Sequence, residues 1–181
     1  MLTSRMMDEH GIPRRELAHL VQDGILIKKD RGLYVVKGYT EDPFIYGAYH
    51  YSKGVYDLDA AMSIHGFTNV SLPLDMAFPQ GTNTTQIHNP WIKPFTVNPL
   101  RYKNGVRKKR TPLKTYMCTY DLPTTLIHLI MRKNDIDPSK IKRWFNQYLS
   151  VYPSDELYRI GKLLRCESKL IHYLSQIQDH Q

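Results

Sequence analysis

The sequence predicts an α+β protein: a small N-terminal unit of helix and hairpin, a larger mixed α+β part, and a helical C-terminal third. Three observations lead to this prediction. Within residues 11–36, apolar residues at helical spacing come directly before two β-rich runs. Strand-like runs separated by turn residues fill much of the middle of the chain, and helical patterns follow one another after residue 121.

The length and composition are those of an ordinary globular protein with room for two domains. The chain has 181 residues, of which 41% are hydrophobic and 23% charged. Its 25 Lys and Arg against 17 Asp and Glu give a net charge of +8, which favours DNA, RNA or an acidic protein as partner, although a basic surface without a role is about equally compatible. No run of about 18 apolar residues and no charged-then-apolar leader is present, so we expect neither a membrane span nor a secretory signal. The two cysteines, Cys118 and Cys166, lie far apart and form no disulfide framework, which favours a reducing cytoplasm while leaving a single bridge open.

The first strong pattern is a short helix that begins near residue 12. Pro13 suits the first helical position, where its missing N–H is not needed, and Gly24 suits a left-handed residue that ends the helix. The apolar side chains at helical spacing are Ile12, Leu17, Leu20 and Val21, and the polar side chains on the opposite face are Arg14, Arg15, His19 and Gln22.

A basic hairpin is predicted directly after this helix. Residues 25–27 and 33–36 are the two β-rich runs, and residues 28–32 form the turn with Lys28, Lys29 and Arg31. A helix with a basic outer face followed by a basic hairpin is typical of a winged helix-turn-helix, in which the helix enters the major groove and the hairpin contacts phosphate. The predicted DNA-binding residues are therefore Arg14, Arg15, His19, Gln22, Lys28, Lys29 and Arg31.

The N-terminal unit is expected to be a truncated form of that domain. Residues 3–10 predict a preceding helix capped by Thr3, with Met6 and Met7 turned inward. A helix that usually comes before these two is missing, so the unit must lean on the rest of the protein or on a partner. The polar, turn-rich stretch 37–43 then predicts a boundary between a domain at 1–38 and a second domain at 43–181.

The middle of the chain predicts a short helix and several strands, mostly antiparallel. Residues 44–56 fit either helix or strand, and Asp57 is expected to cap a helix over 58–65 that ends at Gly66. Strands are predicted at 74–78 and 91–97, and Pro94 places the second of these at an edge or a bulge.

A basic segment then follows without an intervening acid: Arg101, Lys103, Arg107, Lys108, Lys109, Arg110 and Lys114. Residues 111–114 are predicted to turn between strands at 106–110 and 115–120, so the basic side chains would decorate one hairpin. With Tyr102 and Tyr116 nearby, such a hairpin could bind nucleic acid by phosphate contact and stacking, or an acidic groove on a partner protein. An ordinary solvated charged surface is an equally good interpretation.

The last third predicts four helices. Asp121 caps the first, with Pro123 in its first turn, and Asp137 and Pro138 begin the second. Ser154 caps the third, and the fourth runs from about residue 168 to residue 178.

No catalytic constellation is evident, and neither an enzymatic activity nor a cofactor is expected. No His-Glu-x-x-His, Cys-x-x-Cys, phosphate loop or Gly-x-Ser-x-Gly motif is present, so a metal site is not expected. His65 and His128 are interpreted as satisfied structural histidines. The carboxylate pairs Asp57 with Asp59 and Asp135 with Asp137 could in principle hold Mg²⁺ for a nuclease, but their places at helix starts and turns favour capping.

Several stretches resemble the AbiEi antitoxins, the antitoxin half of bacterial abortive-infection toxin–antitoxin systems. Residues 11–26 with 31–34 resemble the winged helix-turn-helix of that family. Residues 56–69 resemble its segment ending in Leu-His-Gly-Leu-Thr, residues 77–81 its strand ending in Pro-x-Gly, and residues 120–130 its Asp-Leu-Glu-Arg-Thr-Ile helix. The sequence departs from the family in lacking the usual first helix and in having Pro123 and Thr124 where the family often has Glu-Arg.

The resemblance implies an antitoxin of a phage-defence system that represses its own promoter. The N-terminal domain would bind double-stranded operator DNA with inverted repeats, and the C-terminal domain would counteract a nucleotidyltransferase toxin, directly or indirectly. No membrane partner and a monomer or weak dimer are expected. The alternative is an interaction module without DNA binding, whose basic hairpin binds a partner protein or RNA.

Overall fold

The structure is a computed structural model that describes residues 1–110, 116–132 and 135–178, with the side chain of Gln178 left out. It has two compact units, residues 1–52 with Arg110 and Tyr116 (unit 1) and residues 53–109 with 117–178 (unit 2). The predicted boundary at 38–43 lies inside unit 1, because the helix that follows it belongs to that unit. The α+β class and the helical C-terminal part are confirmed.

Unit 1 is a three-stranded antiparallel sheet with helices on both faces. The sheet order is β1-β3-β2, and a helical pair is inserted between the first two strands along the chain. Its elements are β1 (Leu2–Thr3), α1 (Ser4–Glu9), α2 (Arg14–Gln22), β2 (Leu26–Asp30), β3 (Leu33–Val36) and α3 (Pro43–His50).

Each face of this sheet buries its own apolar cluster. On one face Leu26 packs with Met7 of α1 and Leu17 of α2, and Ile12, Leu20 and Val21 lie around them as predicted. On the other face Leu33 and Val35 pack with Met1 and with Ile45 of α3. The sequence of α3 is compatible with either helix or strand, and the structure shows a helix. This helix packs on the second face of the sheet and so provides the additional burial that the N-terminal unit was expected to need.

Local details of unit 1 differ from the prediction in two places. Pro13 is the N-cap of α2 rather than its first helical residue, since its extended backbone precedes the helix. Strand β2 continues to Asp30 with a β-bulge after Lys28, so the hairpin loop is only Arg31 and Gly32. The caps at Thr3, whose hydroxyl accepts from the N–H of Met6, and at the left-handed Gly24 are confirmed.

Unit 2 combines a five-stranded sheet with helices. The sheet order is β6-β5-β4-β8-β7, with β7 and β6 at its edges. The elements are β4 (Val55–Tyr56), α4 (Leu58–Ile64), β5 (Leu74–Pro79), β6 (Ile92–Val97), α5 (Pro99–Lys103), β7 (Val106–Arg110), β8 (Tyr116–Tyr120), α6 (Leu122–Met131), α7 (Pro138–Leu149), α8 (Asp155–Leu163) and α9 (Glu167–Gln178).

The expectation of mostly antiparallel strands is wrong for this sheet. Strands β4 and β5 are antiparallel, but β5 with β6 and β4 with β8 are parallel pairs. A parallel neighbour needs a crossover of about a dozen residues, and residues 80–91 between β5 and β6 provide one. Pro94 lies on the edge strand β6, where its missing N–H is tolerated as predicted.

The core of unit 2 lies among the four C-terminal helices. Leu126, Leu129, Trp144, Phe145 and Leu157 are completely buried there. The helix starts agree with the prediction, and the carboxylates of Asp121 and Asp137 accept the expected capping hydrogen bonds, whereas the hydroxyl of Ser154 makes none. None of the described helices has the length and apolar character needed to cross a bilayer.

Candidate functional site

The outer face of α2 presents the predicted groups to solvent. Arg15, His19 and Gln22 follow one another at spacings of four and three, so they share the face opposite the buried Leu17. Arg14 is also exposed but lies at the flank of that face. The outer face of α2 is therefore a row of one cation, one imidazole and one amide.

The three basic residues of the hairpin do not form one surface. Lys28 pairs with Tyr34 on the face of the sheet that packs against α2, and Arg31 is exposed in the two-residue loop. Lys29 is the extra residue of the bulge, and its ammonium forms an ion pair with Glu41. Lys28 and Arg31 are thus the hairpin cations without a described acidic side-chain partner.

The excess positive charge of the chain does not lie in residues 1–52. Residues 1–52 contain seven Lys and Arg and seven Asp and Glu, which leaves eighteen basic and ten acidic residues in 53–181. Any attraction of unit 1 for a polyanion therefore depends on the arrangement of its charges rather than on its net charge.

The basic segment over residues 101–110 is divided between a helix and an edge strand, and its last residue, Arg110, belongs to unit 1. Arg101 and Lys103 lie on α5 and not on the predicted hairpin, while residues 107–110 lie on β7. The predicted strand at 106–110 is confirmed, but the predicted turn at 111–114, including Lys114, lies outside the described residues. The residues of the predicted basic hairpin are therefore divided between a helix and a strand.

Several of these cations are held by structural partners. The guanidinium of Arg107 lies 3.0 Å from a carboxylate oxygen of Asp121, and Arg110 donates to the hydroxyl of Tyr116 at 2.8 Å. Lys103 and Lys108 are exposed, with no described side-chain partner. They are the members of the segment most available to a partner molecule.

His65 has the structural role that its sequence context predicts. The ammonium of Lys109 donates to Nδ1 of His65 at 3.0 Å, so Nε2 carries the hydrogen and donates to the carbonyl oxygen of Tyr120 at 2.7 Å. Burial, together with the charge of Lys109, lowers the pKa of His65 although the bond to Tyr120 opposes this. Burial also lowers the pKa of Lys109. The side chains of His65 and Lys109 therefore have structural hydrogen-bond partners.

His128 is more than the satisfied histidine that was predicted, because it forms a buried pair with Asp57. Nδ1 of His128 donates to one carboxylate oxygen of Asp57 at 2.7 Å, and the other oxygen accepts from the N–H of Leu58 at 2.8 Å. Asp57 is fully buried and His128 is 3% exposed. Leu58 has φ of 50°, a left-handed conformation that costs about 1 kcal/mol or more for a residue with a branched side chain.

A small cavity lies beside this pair. It offers about 10 Å³ and is lined by Asp57, Phe95, Val97, Arg101, His128, Met131 and Arg132. Nε2 of His128 and Nε of Arg101 are both buried and have no hydrogen-bond partner among the described residues. Arg132 stacks over the ring of Phe95 at 4.2 Å and donates to Asp135 at 2.8 Å. The lining holds an oriented imidazole but no hydroxyl or thiol that could act as its nucleophile.

Four other carboxylates of unit 2 line a larger depression of about 410 Å³: Asp59, Asp75, Asp135 and Asp137. Asp59 pairs with Lys140 at 3.0 Å, and the buried Asp75 lies 3.8 Å from Lys93. Burial raises the pKa of Asp75 to about 6. Asp57 and Asp59 thus bind different partners, and no cluster of three ligating side chains that could hold a metal ion occurs among the described residues. The interpretation of these acids as caps and ion-pair partners fits this geometry better than a Mg²⁺ site.

Both cysteines are free thiols, so the single bridge that the sequence left open is absent. Cys166 is buried, and its burial raises the pKa of its thiol. A raised thiol pKa means less thiolate at neutral pH, which favours an inert side chain.

Comparison with known proteins gives a structural relationship but no family. No protein-family model and no curated protein matches the chain. The crystal structure of the RV2827C protein from Mycobacterium tuberculosis superimposes on this chain with a TM-score of 0.58 at 11% sequence identity, covering 89% of this chain and 66% of that one. The two share a fold, and this chain spans slightly less than two thirds of the length of that protein.

Proposed function

We propose that the protein is an AbiEi-like antitoxin whose unit 1 acts as a winged helix-turn-helix on operator DNA. The observation that carries the proposal is the exposed face of α2, with Arg15, His19 and Gln22 in a row and Arg31 at the tip of the following hairpin. Arg and Gln read base edges in the major groove, and a hairpin cation contacts a neighbouring phosphate.

The order of the elements supports this proposal. In unit 1 a strand, two helices and a hairpin follow one another, and α1 and α2 are joined by a short turn containing the left-handed Gly11. Such a turn between two short helices is typical of helix-turn-helix proteins. The exposed α2 face carries no structural ion pair among the described residues, so its side chains are available to DNA.

The test compares two variants that each remove one positive charge, and it measures their binding to the DNA upstream of the protein's own gene. We expect Arg15→Gln to weaken operator binding by about 1–3 kcal/mol, whereas Lys37→Gln, which removes an exposed cation beyond the hairpin, has little effect. Arg31→Gln should weaken binding to every sequence and reduce the salt slope by about 1. Electrophoretic shift or anisotropy measures both. If a double alanine variant at Arg14 and Arg15 binds like the wild type, unit 1 does not read the operator.

The antitoxin role predicts a nucleotidyltransferase gene beside this one. Expression of that enzyme alone is expected to stop growth, and coexpression of the antitoxin is expected to restore it. Growth restored equally by a chain with Arg15→Gln would assign the rescue to unit 2 and the repression to unit 1. A neighbouring gene product that is harmless when expressed alone contradicts the antitoxin role.

A second candidate function rests on the exposed Lys103 and Lys108 of unit 2, where the excess charge lies. They would bind an acidic surface of a partner protein or RNA. Reversal to Glu at both positions is a cleaner test than reversal at Lys109, since Lys109 also holds His65. Loss of toxin rescue with unchanged operator binding would favour this function, and unchanged rescue would exclude it.

A further inference from the structure

The cavity beside His128 is lined by two side chains that each have a buried nitrogen left unpaired by the described residues. Nδ1 of His128 donates to Asp57, so Nε2 is the ring nitrogen left for another molecule, and it is buried and unpartnered among the described residues. Nε of Arg101 is likewise buried without a partner, and no described carboxylate forms an ion pair with this guanidinium. Buried polar groups are ordinarily hydrogen-bonded, so these two atoms require an occupant.

The chemistry of the two atoms defines that occupant. The guanidinium of Arg101 favours a negatively charged acceptor, because it is a partly buried cation with one buried nitrogen unpaired among the described residues. Nε2 of His128 requires a hydrogen-bonding partner. Water can pair with Nε2 but carries no charge, and sulfate or an ionised carboxylate carries the charge but has no hydrogen to donate. A phosphate that keeps one proton supplies both.

The dimensions of the cavity agree with a terminal phosphate rather than a buried whole ion. About 10 Å³ is close to the volume that one water-sized atom needs, so a single phosphate oxygen enters. The remaining oxygens stay outside this volume. Arg132 also lines the cavity, and its guanidinium is held over the ring of Phe95 and by Asp135. The guanidinium of an arginine matches the geometry of two phosphate oxygens.

We propose that unit 2 binds inorganic phosphate or a phosphate monoester at this cavity, with Arg101 and His128 as ligands and Asp57 as the residue that orients His128. The P–OH group donates to Nε2 of His128, and an ionised oxygen accepts from Arg101. This site is separate from operator binding by unit 1, so either can fail without the other.

The experiment is a titration of the full-length, ¹⁵N-labelled protein with inorganic phosphate at pH 7, followed through the imidazole nitrogens. We expect a saturable shift at Nε2 of one histidine, and a much smaller response to sulfate at equal ionic strength. Arg101→Gln should weaken phosphate binding about tenfold or more. The control Lys162→Gln, which removes an exposed cation of α8 that does not line the cavity, should stay within about twofold of the wild type.

Three results would overturn the proposal: no saturable shift, which means a resident water only; an equal response to sulfate; or unchanged binding by Arg101→Gln. Two further probes identify the source of the phosphate. A dinucleotide with a 5′-phosphate that binds like the free ion, while the unphosphorylated dinucleotide does not, assigns the site to nucleic-acid ends. Binding of the free ion alone assigns it to inorganic phosphate.

Discussion

Asp75 is predicted to destabilise the folded protein at neutral pH, and its replacement by Asn to stabilise it. Burial raises its pKa from 3.8 to about 6, and Lys93 at 3.8 Å only partly opposes that rise. At 1.36 kcal/mol per pKa unit, the difference corresponds to about 3 kcal/mol as an upper bound. An asparagine at this position would carry no charge and have nearly the same volume, so Asp75→Asn should recover part of this free energy.

The sign of the pH dependence follows from proton binding. Between about pH 4 and pH 6 the folded state holds the Asp75 proton more tightly than the unfolded state, so stability falls as the pH rises through this window. Below pH 4 both states are protonated, and above about pH 6 the full penalty is present. The fall should be smaller in Asp75→Asn, and the two proteins should differ least near pH 4.

Urea denaturation at pH 4, 5, 6 and 7, followed by tryptophan fluorescence, measures this difference. Both tryptophans, Trp91 and Trp144, belong to unit 2, so the signal reports the unit that contains Asp75. As a control, Asp155→Asn at an exposed helix start should change stability by about 0.5 kcal/mol or less at every pH. Should Asp75→Asn prove less stable than the wild type at pH 7, the pair with Lys93 outweighs burial and the reasoning is refuted.

Two further changes test the packing of unit 2. Gly105→Ala should lower the free energy of unfolding by about 2 kcal/mol or more, because Gly105 has φ of 75° and a Cβ there would overlap Oγ1 of Thr124. Gly66→Ala is the control: Gly66 has φ of 80° but open space around it, so the loss should be only about 1 kcal/mol. Equal losses in urea denaturation would contradict the contact with Thr124. Asp57→Ala should lower the free energy of unfolding by about 3 kcal/mol or more, since it removes the cap of α4 and leaves His128 without its partner. A thermal midpoint equal to that of the wild type would show that the fold does not need this pair.

The elements predicted from the sequence are those whose signals lie within a few residues. Thr3, Asp121 and Asp137 each stand directly before the helix that they cap, and Gly24 follows closely after the helix that it ends. A capping bond spans two or three residues, so the sequence contains both partners. The parallel pairing of β5 with β6 was not predicted, because strand direction depends on where a crossover returns and not on the residues of the strands.

The link between Asp57 and His128 shows why the site was harder to predict than the fold. The two residues are 71 positions apart, and each has a sufficient local explanation, as a cap and as a residue of an apolar helix. The available signal was the position of His128 itself, within the run Leu126, Ile127 and Leu129, where burial demands a partner. An imidazole in the middle of a buried helix face indicates a polar partner elsewhere in the chain, and no short sequence motif identifies that partner.

The location of the net charge changes what a DNA-binding assay should find. A chain with a net charge of +8 suggests a strongly salt-dependent interaction, but residues 1–52, which contain α2 and its hairpin, hold seven basic and seven acidic residues. Non-specific binding depends on phosphate neutralisation, so it should be weak for unit 1, and operator binding must come mainly from base contacts by Arg15 and Gln22. A shallow salt slope with strong sequence discrimination would therefore assign DNA binding to α2, whereas a steep slope without discrimination would assign it to the basic segment of unit 2.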